Sequence, residues 1–291
     1  MQMQGIYPAI VTPFGADDRV DYSTFKRLID HLIENGVAGI VPCGTTGEYY
    51  AMTLDERREV LKFFKDYVGN RVQLIAGTNA ASTRDVVSLT QYAQEIGYDA
   101  VLLAPPYYSL PTQSELLAHF HSVIGSSSIP IVLYNFPLRA GVEISDAVMA
   151  PLAETGRICA IKESSGSMGR VFNHVLNYSD KVDLCCGSDD QALDYFLWGA
   201  TSWIAGASTF TTRQHVEIHK LSMAGDWVKA KERMRRLLPL LLNMESGQFN
   251  QKAKYGCELM GIPVGINRQP LGALSASEKS KFKAAFELAQ E

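Results

Sequence analysis

Short apolar segments alternate with longer amphipathic stretches along most of the chain. The apolar segments carry hydrophobic residues at successive positions instead of alternating them with polar ones, which is typical of strands that helices cover on both faces. The pattern predicts eight strands, at residues 6–13, 38–43, 72–76, 100–104, 129–134, 158–161, 182–185 and 202–205.

Helical spacing fills the segments between the predicted strands. In the first of them, Leu28, Leu32 and Ile33 recur at the interval of one helical face, and Gly36 follows as a stop signal. A strand-to-helix unit of about 20 to 35 residues that occurs eight times predicts an α/β fold, the (β/α)8 TIM barrel. A doubly wound open sheet is the alternative, although eight units favour closure of the sheet.

The strand pattern stops near position 225. Three further helical stretches follow, at about 227–244, 248–260 and 277–290. We therefore predict two regions, a barrel over residues 1–225 and a C-terminal helical extension over residues 226–291 that packs on the barrel.

Length, charge and cysteine content limit the class of protein. The chain has 291 residues, enough for one barrel of about 250 residues and an extension. Its net charge of −4 provides no broad basic surface, so we expect no nucleic acid partner. It has no apolar run of the roughly 20 residues that span a bilayer and no signal-peptide pattern, so we expect no membrane partner. The five cysteines contain no C-x-x-C pair, and we expect reduced thiols in a cytoplasmic protein.

Polar residues gather where the predicted strands end. The loops that follow the strands form the active face of a (β/α)8 barrel. The sequence GTTGE at 44–48 follows the second strand, Tyr134 closes the fifth, Lys162 follows the sixth directly, and GSDD at 187–190 follows the seventh. We therefore expect the chemistry of the protein at this end of the barrel.

Lys162 is the most informative of these residues. Its amine is predicted to project into the mouth of an apolar barrel, where burying an unpaired charge is costly. Only a neutral amine attacks a carbonyl carbon, so a lysine in this position is a candidate nucleophile. The alternative is a structural ion pair with Glu163 or Asp189.

Two further candidates each have a structural alternative. The GTTGE loop offers hydroxyls and backbone N–H groups that suit a small carboxylate, but it is equally suited to cap a helix that starts near Thr53. Tyr134 is a candidate proton shuttle if another hydroxyl lies within hydrogen-bond reach, and otherwise a packed aromatic residue.

The sequence supports no metal or cofactor site. His215 and His219 stand one helical turn apart, but HVEIH is not the order of the zinc proteases. The chain has no P-loop and no dinucleotide-binding fingerprint. We therefore predict that no metal and no cofactor take part.

Several separated motifs resemble one known family over nearly the whole chain. They are GIYPA at 5–9, VTPF at 11–14, GTTGE at 44–48, PYY at 106–108, YNFP at 134–137 and IKE at 161–163. In this order they are similar to the dihydrodipicolinate synthase and N-acetylneuraminate lyase family, whose members are Schiff-base-forming class I lyases.

The resemblance implies a role for four residues. Lys162 would form an imine with the ketone of pyruvate or of a pyruvate-like 2-oxo acid, and Tyr134 would transfer protons beside it. Thr45 would carry the proton relay onward, and Tyr108 would complete it from a neighbouring subunit. The resemblance thus also implies a homo-oligomer, a dimer at least and in this family commonly a tetramer.

The resemblance implies substrate-binding residues as well. The loop with Gly44 and Thr46 would hold the carboxylate of the 2-oxo acid, and Arg139 would receive the carboxylate of a second substrate. Arg139 also argues against a neuraminate substrate, and its alternative is a surface ion pair with Glu143. The remaining predicted binding residues follow the seventh and eighth strands: Gly187, Asp189 and Ser208.

The chain departs from the synthase pattern around the second substrate. Leu138 stands where synthases have a small residue and Ala140 where they have threonine, while Ala81 replaces the asparagine of lysine-inhibited synthases, so feedback control by lysine is not expected.

Three hypotheses about the function follow from the residues and the resemblance. The favoured one is condensation of the dihydrodipicolinate synthase type. The second is an aldolase, dehydratase or deaminase of a keto-deoxy sugar acid or hydroxypyrroline carboxylate, and the third is a non-catalytic 2-oxo acid sensor.

Overall fold

Eight parallel strands alternate with helices in the computed structural model, which describes residues 1–291. The strands are β1 (Gly5–Pro8), β2 (Gly39–Ile40), β3 (Gln73–Gly77), β4 (Ala100–Leu103), β5 (Ile131–Asn135), β6 (Ile158–Glu163), β7 (Asp183–Cys186) and β8 (Ser202–Ala205). Each overlaps one predicted segment. The first two are shorter than predicted, because only an isolated bridge between Ala9 and Val41 continues them beyond Pro8 and Ile40.

Helices connect the strands and continue beyond the last one. They are α1 (Tyr22–Glu34), α2 (Leu54–Val68), α3 (Thr83–Glu95), α4 (Gln113–Ser126), α5 (Pro137–Ala140), α6 (Asp146–Ala153), α7 (Met168–Asn177), α8 (Ala192–Leu197), α9 (Thr212–Met223), α10 (Trp227–Glu245), α11 (Phe249–Leu259) and α12 (Ala276–Gln290). None of them combines the length and the apolar character needed to cross a membrane.

The sheet closes on itself. Its strand order runs β1, β8, β7, β6, β5, β4, β3, β2, and a parallel bridge between Ala9 and Val41 joins the two ends. The Val41 N–H donates to the carbonyl of Pro8 at 2.9 Å, and the Ile10 N–H donates to the carbonyl of Val41 at 3.2 Å. The prediction of a (β/α)8 barrel is confirmed, and the open-sheet alternative is wrong.

Two apolar layers explain the unbroken hydrophobic pattern of the strands. One set of strand side chains, which includes Tyr7, Val132 and Ile204, packs together as a cluster of its own. The larger cluster joins the other strand residues to the helices, as with Leu133 and Phe120. Since both faces of each strand are buried, neither face needs polar residues.

The C-terminal helices reach back to the mouth of the barrel. The Asn250 side chain in α11 donates to the carbonyl of Thr45 at 2.9 Å. The Lys254 ammonium lies 2.8 Å from the Glu48 carboxylate, and both side chains are almost completely buried. The extension therefore supports the loop that follows β2.

Candidate active site

A cavity of about 310 Å³ opens at the carboxyl ends of the strands, where the sequence predicts the active face. Its wall combines side chains from several strand ends with residues of the C-terminal helices. Seven of the predicted site residues line it: Thr45, Thr46, Tyr134, Arg139, Lys162, Gly187 and Asp189.

Lys162 lies in β6 directly beside Tyr134 of β5. Its side chain is buried, with 6% of the residue exposed, and its Nζ is 4.3 Å from the centre of the Tyr134 ring. No carboxylate lies within ion-pair distance of this amine. The alternative of a structural ion pair with Glu163 or Asp189 is therefore wrong.

Glu163 is held by other partners. Its carboxylate accepts hydrogen bonds from Asn135 Nδ2 at 2.9 Å, from the Ser165 N–H at 2.7 Å and from Arg170 Nε at 2.9 Å. Asn135 Oδ1 in turn accepts from the Ile144 N–H at 2.9 Å. The network fixes the ends of β5 and β6 next to Tyr134 and Lys162.

Asp189 lies in the cavity wall and is almost completely buried. One of its carboxylate oxygens accepts a hydrogen bond from Trp203 Nε1 at 2.9 Å. Burial raises the pKa of Asp189 to about 7, with a further contribution from the negative charge of Glu245, while the Trp203 hydrogen bond and the positive charge of Lys162 act in the opposite direction. This carboxyl therefore exchanges a proton near neutral pH.

The GTTGE loop at 44–48 does not cap the following helix. Thr53 caps α2 by itself, since its hydroxyl accepts from the Glu56 N–H while the Glu56 carboxylate accepts from the Thr53 N–H. The loop is held instead by the Thr12 hydroxyl, which donates to the carbonyl of Gly47 at 2.7 Å. The capping alternative is wrong, and both threonines of the loop face the cavity.

Arg139 belongs to the short helix α5, and its guanidinium forms no ion pair with a carboxylate. Its guanidinium lies 5.7 Å from the centre of the Phe136 ring and 5.9 Å from that of Phe249. Glu143, its predicted surface partner, instead binds Arg170 at 3.0 Å. The alternative of an ion pair with Glu143 is therefore wrong.

Three predicted site residues do not line the cavity of their own chain. Ser208 is completely buried and donates to the carbonyl of Ala205 at 2.8 Å, because the turn after β8 folds its hydroxyl back. Gly44 is buried within its loop. Tyr108 is 93% exposed on the outer surface, with a left-handed backbone (φ 74°).

The structure adds cavity residues that the sequence did not single out. Glu245 and Phe249 come from the end of α10 and the start of α11. The C-terminal helical pattern predicted these helices but not which of their residues reach the barrel mouth. Only the packing of the extension on the barrel brings them there.

Fold and site together define a barrel enzyme that carries an unpaired primary amine at its mouth. A family model described as the dihydrodipicolinate synthetase family matches residues 2–289, and the chain belongs to this family, whose members are lyases. The 4-hydroxy-tetrahydrodipicolinate synthase of Methanococcus maripaludis is 37% identical over 284 residues, which cover 97% of each chain.

Solved structures agree with this assignment. The 4-hydroxy-tetrahydrodipicolinate synthase of Methylacidiphilum fumariolicum has a TM-score of 0.96 at 32% identity, covering 99% of this chain and 96% of that one. The dihydrodipicolinate synthase of Acinetobacter baumannii, solved in complex with pyruvate, has a TM-score of 0.95 at 31% identity and covers 99% of each chain. The resemblance inferred from the motifs is confirmed.

Proposed function

We propose that the protein condenses pyruvate with aspartate semialdehyde, as a 4-hydroxy-tetrahydrodipicolinate synthase. The observation that carries the proposal is the buried Lys162 amine, which has no carboxylate partner and lies against Tyr134 at the wall of the cavity. The names of the similar proteins support the same reaction.

The reaction starts at the Lys162 amine. Its lone pair attacks the keto carbon of pyruvate, and the keto oxygen leaves as water, which forms an iminium ion. Loss of a proton from the methyl carbon then gives an enamine, because the positive nitrogen accepts the electron pair. The enamine carbon attacks the aldehyde carbon of the second substrate. The amino group of that substrate finally loses a proton and adds to the imine carbon, and the carbon–nitrogen bond to Lys162 breaks, so that Lys162 leaves as the free amine.

Proton transfer in these steps needs hydroxyl groups near the amine. We assign it to Tyr134 and Thr45, which line the same cavity, with Tyr108 supplied by a second copy of the chain. The exposed position of Tyr108 supports this arrangement, since the residue lies outside the cavity of its own chain. A homo-oligomer, at least a dimer, follows from it.

The carboxylates of the two substrates are assigned to different groups of residues in the cavity. We assign the pyruvate carboxylate to the GTTGE loop, through Thr46 and the backbone next to Gly44, and the second carboxylate to the free guanidinium of Arg139. Gly187 leaves room beside Lys162, and Asp189 lies on the same wall. All five cysteines are unpaired thiols, which suits the cytoplasm.

Borohydride trapping tests the proposal. Treatment with pyruvate and borohydride should leave a reduced adduct on Lys162, and Lys162→Ala should abolish both the adduct and turnover. Lys220→Ala, an exposed lysine of α9, is the matched control and should leave both unchanged.

A substrate panel separates the remaining hypotheses. Turnover of pyruvate with aspartate semialdehyde supports the synthase reaction. Turnover of keto-deoxy acids or hydroxypyrroline carboxylate instead would replace the synthase by the second hypothesis, and no turnover of any of them would support the sensor.

A further inference from the structure

Charges of both signs meet in the cavity beyond Lys162. Arg139 contributes a guanidinium, and Asp190 and Glu245 contribute carboxylates. Glu245 stands at the last position of α10, and Asp190 lies in the turn after β7. The chain therefore carries both an anion-binding and a cation-binding group beyond the amine.

None of these three side chains is neutralised within the chain. The carboxylate nearest to Arg139 in sequence, that of Glu143, is engaged elsewhere, since it binds Arg170. Neither Arg139 nor Glu245 takes part in any ion pair. Unpaired charges of opposite sign in one cavity are a binding arrangement for a ligand that carries both signs.

A buried hydroxyl gives independent support for a ligand. Ser164 lines the same cavity with only 7% of the residue exposed, and its Oγ has no hydrogen-bond partner. A buried hydroxyl without a partner is costly, so such a group indicates a partner that arrives with the substrate. The absence of a side chain at Gly187 leaves space for the Ser164 Oγ, because a Cβ at position 187 would lie 2.0 Å from that oxygen.

We propose that Glu245, together with Asp190, binds the ammonium group of the second substrate while Arg139 binds its carboxylate. The site would thereby select an aldehyde that is an amino acid over one that lacks the amino group. This inference rests on the proposed function, because it names the recognition of the second substrate in the same site.

The electrostatics of Glu245 are consistent with this role. Partial burial and the negative charge of Asp190 raise the pKa of Glu245, whereas the positive charges of Arg139 and Lys162 lower it. A bound ammonium group would relieve the repulsion between the two carboxylates.

A pair of ligands tests the inference by titration calorimetry. The enzyme is first treated with pyruvate and borohydride, so that binding is measured without turnover. Aspartate semialdehyde and succinate semialdehyde, which lacks the amino group, are then titrated into the wild type, Glu245→Gln, Asp190→Asn and Glu232→Gln. Glu232 is the matched control, since it lies on the exposed side of α10, where it pairs with Arg236.

We expect the wild type to bind the amino compound about 10- to 100-fold more tightly than succinate semialdehyde. Glu245→Gln should remove most of this preference and leave the affinity for succinate semialdehyde unchanged, and Asp190→Asn should reduce it. Equal affinities in the wild type, or an unchanged preference in Glu245→Gln, would overturn the inference. A preference that depends on Glu245 in an enzyme that does not condense the two substrates would uphold the inference and overturn the proposed function. If Lys162 is not trapped, the same titration is made on the untreated enzyme.

Discussion

Lys162 and Tyr134 are direct neighbours in adjacent strands, and the lysine Nζ stands 4.3 Å from the centre of the tyrosine ring. The electron-rich face of the ring attracts the positive charge of an ammonium or an iminium group. The phenol hydroxyl is a separate feature, available for proton transfer at the cavity wall. The ring and the hydroxyl of Tyr134 can therefore be tested apart.

Tyr134→Phe keeps the ring and removes the hydroxyl. We expect imine formation on Lys162 to slow by about 10²- to 10⁴-fold, the usual contribution of a positioned acid or base, with little change in thermal stability. Quenched-flow borohydride trapping measures the rate. Tyr92→Phe, in α3 and away from the cavity, should trap at the rate of the wild type, and so would Tyr134→Phe if its hydroxyl moved no proton.

Gly187→Ala should displace the reactive lysine. An added Cβ would lie 2.7 Å from the Lys162 Cγ and 2.8 Å from the carbonyl oxygen of Glu163, so the side chain or the strand must shift. Displacement of the reactive amine should lower the rate of borohydride trapping on Lys162 by about 100-fold. Gly125→Ala in α4 meets no atom within 4 Å and should keep full activity. Equal activity of the two variants would show that the cavity absorbs the methyl group without moving Lys162.

Glu163→Gln should destabilise the protein. Its carboxylate accepts from Asn135 and Arg170, and an amide in its place would turn an NH₂ group toward donors and leave Arg170 without its buried counter-charge. Breaking a buried pair of this kind costs about 3 to 5 kcal/mol in the free energy of unfolding. Urea denaturation measures the loss. Glu143→Gln, which removes the half-exposed partner of the same arginine, should cost less than about 1 kcal/mol, and similar losses for both would contradict the prediction.

Asp189 should make stability depend on pH. Its pKa is about 7 in the folded protein, chiefly because of burial, and near 3.9 in an unfolded chain. At pH values between these two pKa values, the folded state binds more protons than the unfolded state. The contribution of Asp189 is therefore fully present below about pH 4 and is lost as the pH rises toward 7, by at most about 1.4 kcal/mol per unit.

Asp189→Asn should remove this part of the pH dependence. The free energy of unfolding of the wild type, relative to that of the variant, should fall between pH 5 and 7.5 in urea titrations. Asp194→Asn, an exposed position in α8, should follow the wild type. A constant difference between wild type and Asp189→Asn would mean that the buried carboxyl is already ionised at pH 5.

The barrel and the reactive centre could be predicted from the sequence because both depend on local patterns. Strands buried on two faces are continuously apolar, and Lys162 and Tyr134 stand at the ends of such runs. Ser208 also follows a strand, but a tight turn directs its hydroxyl to the carbonyl of Ala205. Glu245 was missed because its position in the cavity depends on how α10 packs against the barrel, which helical spacing does not encode.

The ties between the C-terminal helices and the mouth of the barrel limit how the protein can be rearranged. Asn250 and Lys254 hold Thr45 and Glu48 from outside the eight-strand unit. A chimera that exchanged the last three helices for those of another barrel would leave the buried Glu48 without its cation. It would also leave the loop at 44–48 without the hydrogen bond from Asn250. Recombination between relatives should therefore succeed only when residues 44–48 and α11 are inherited from the same parent.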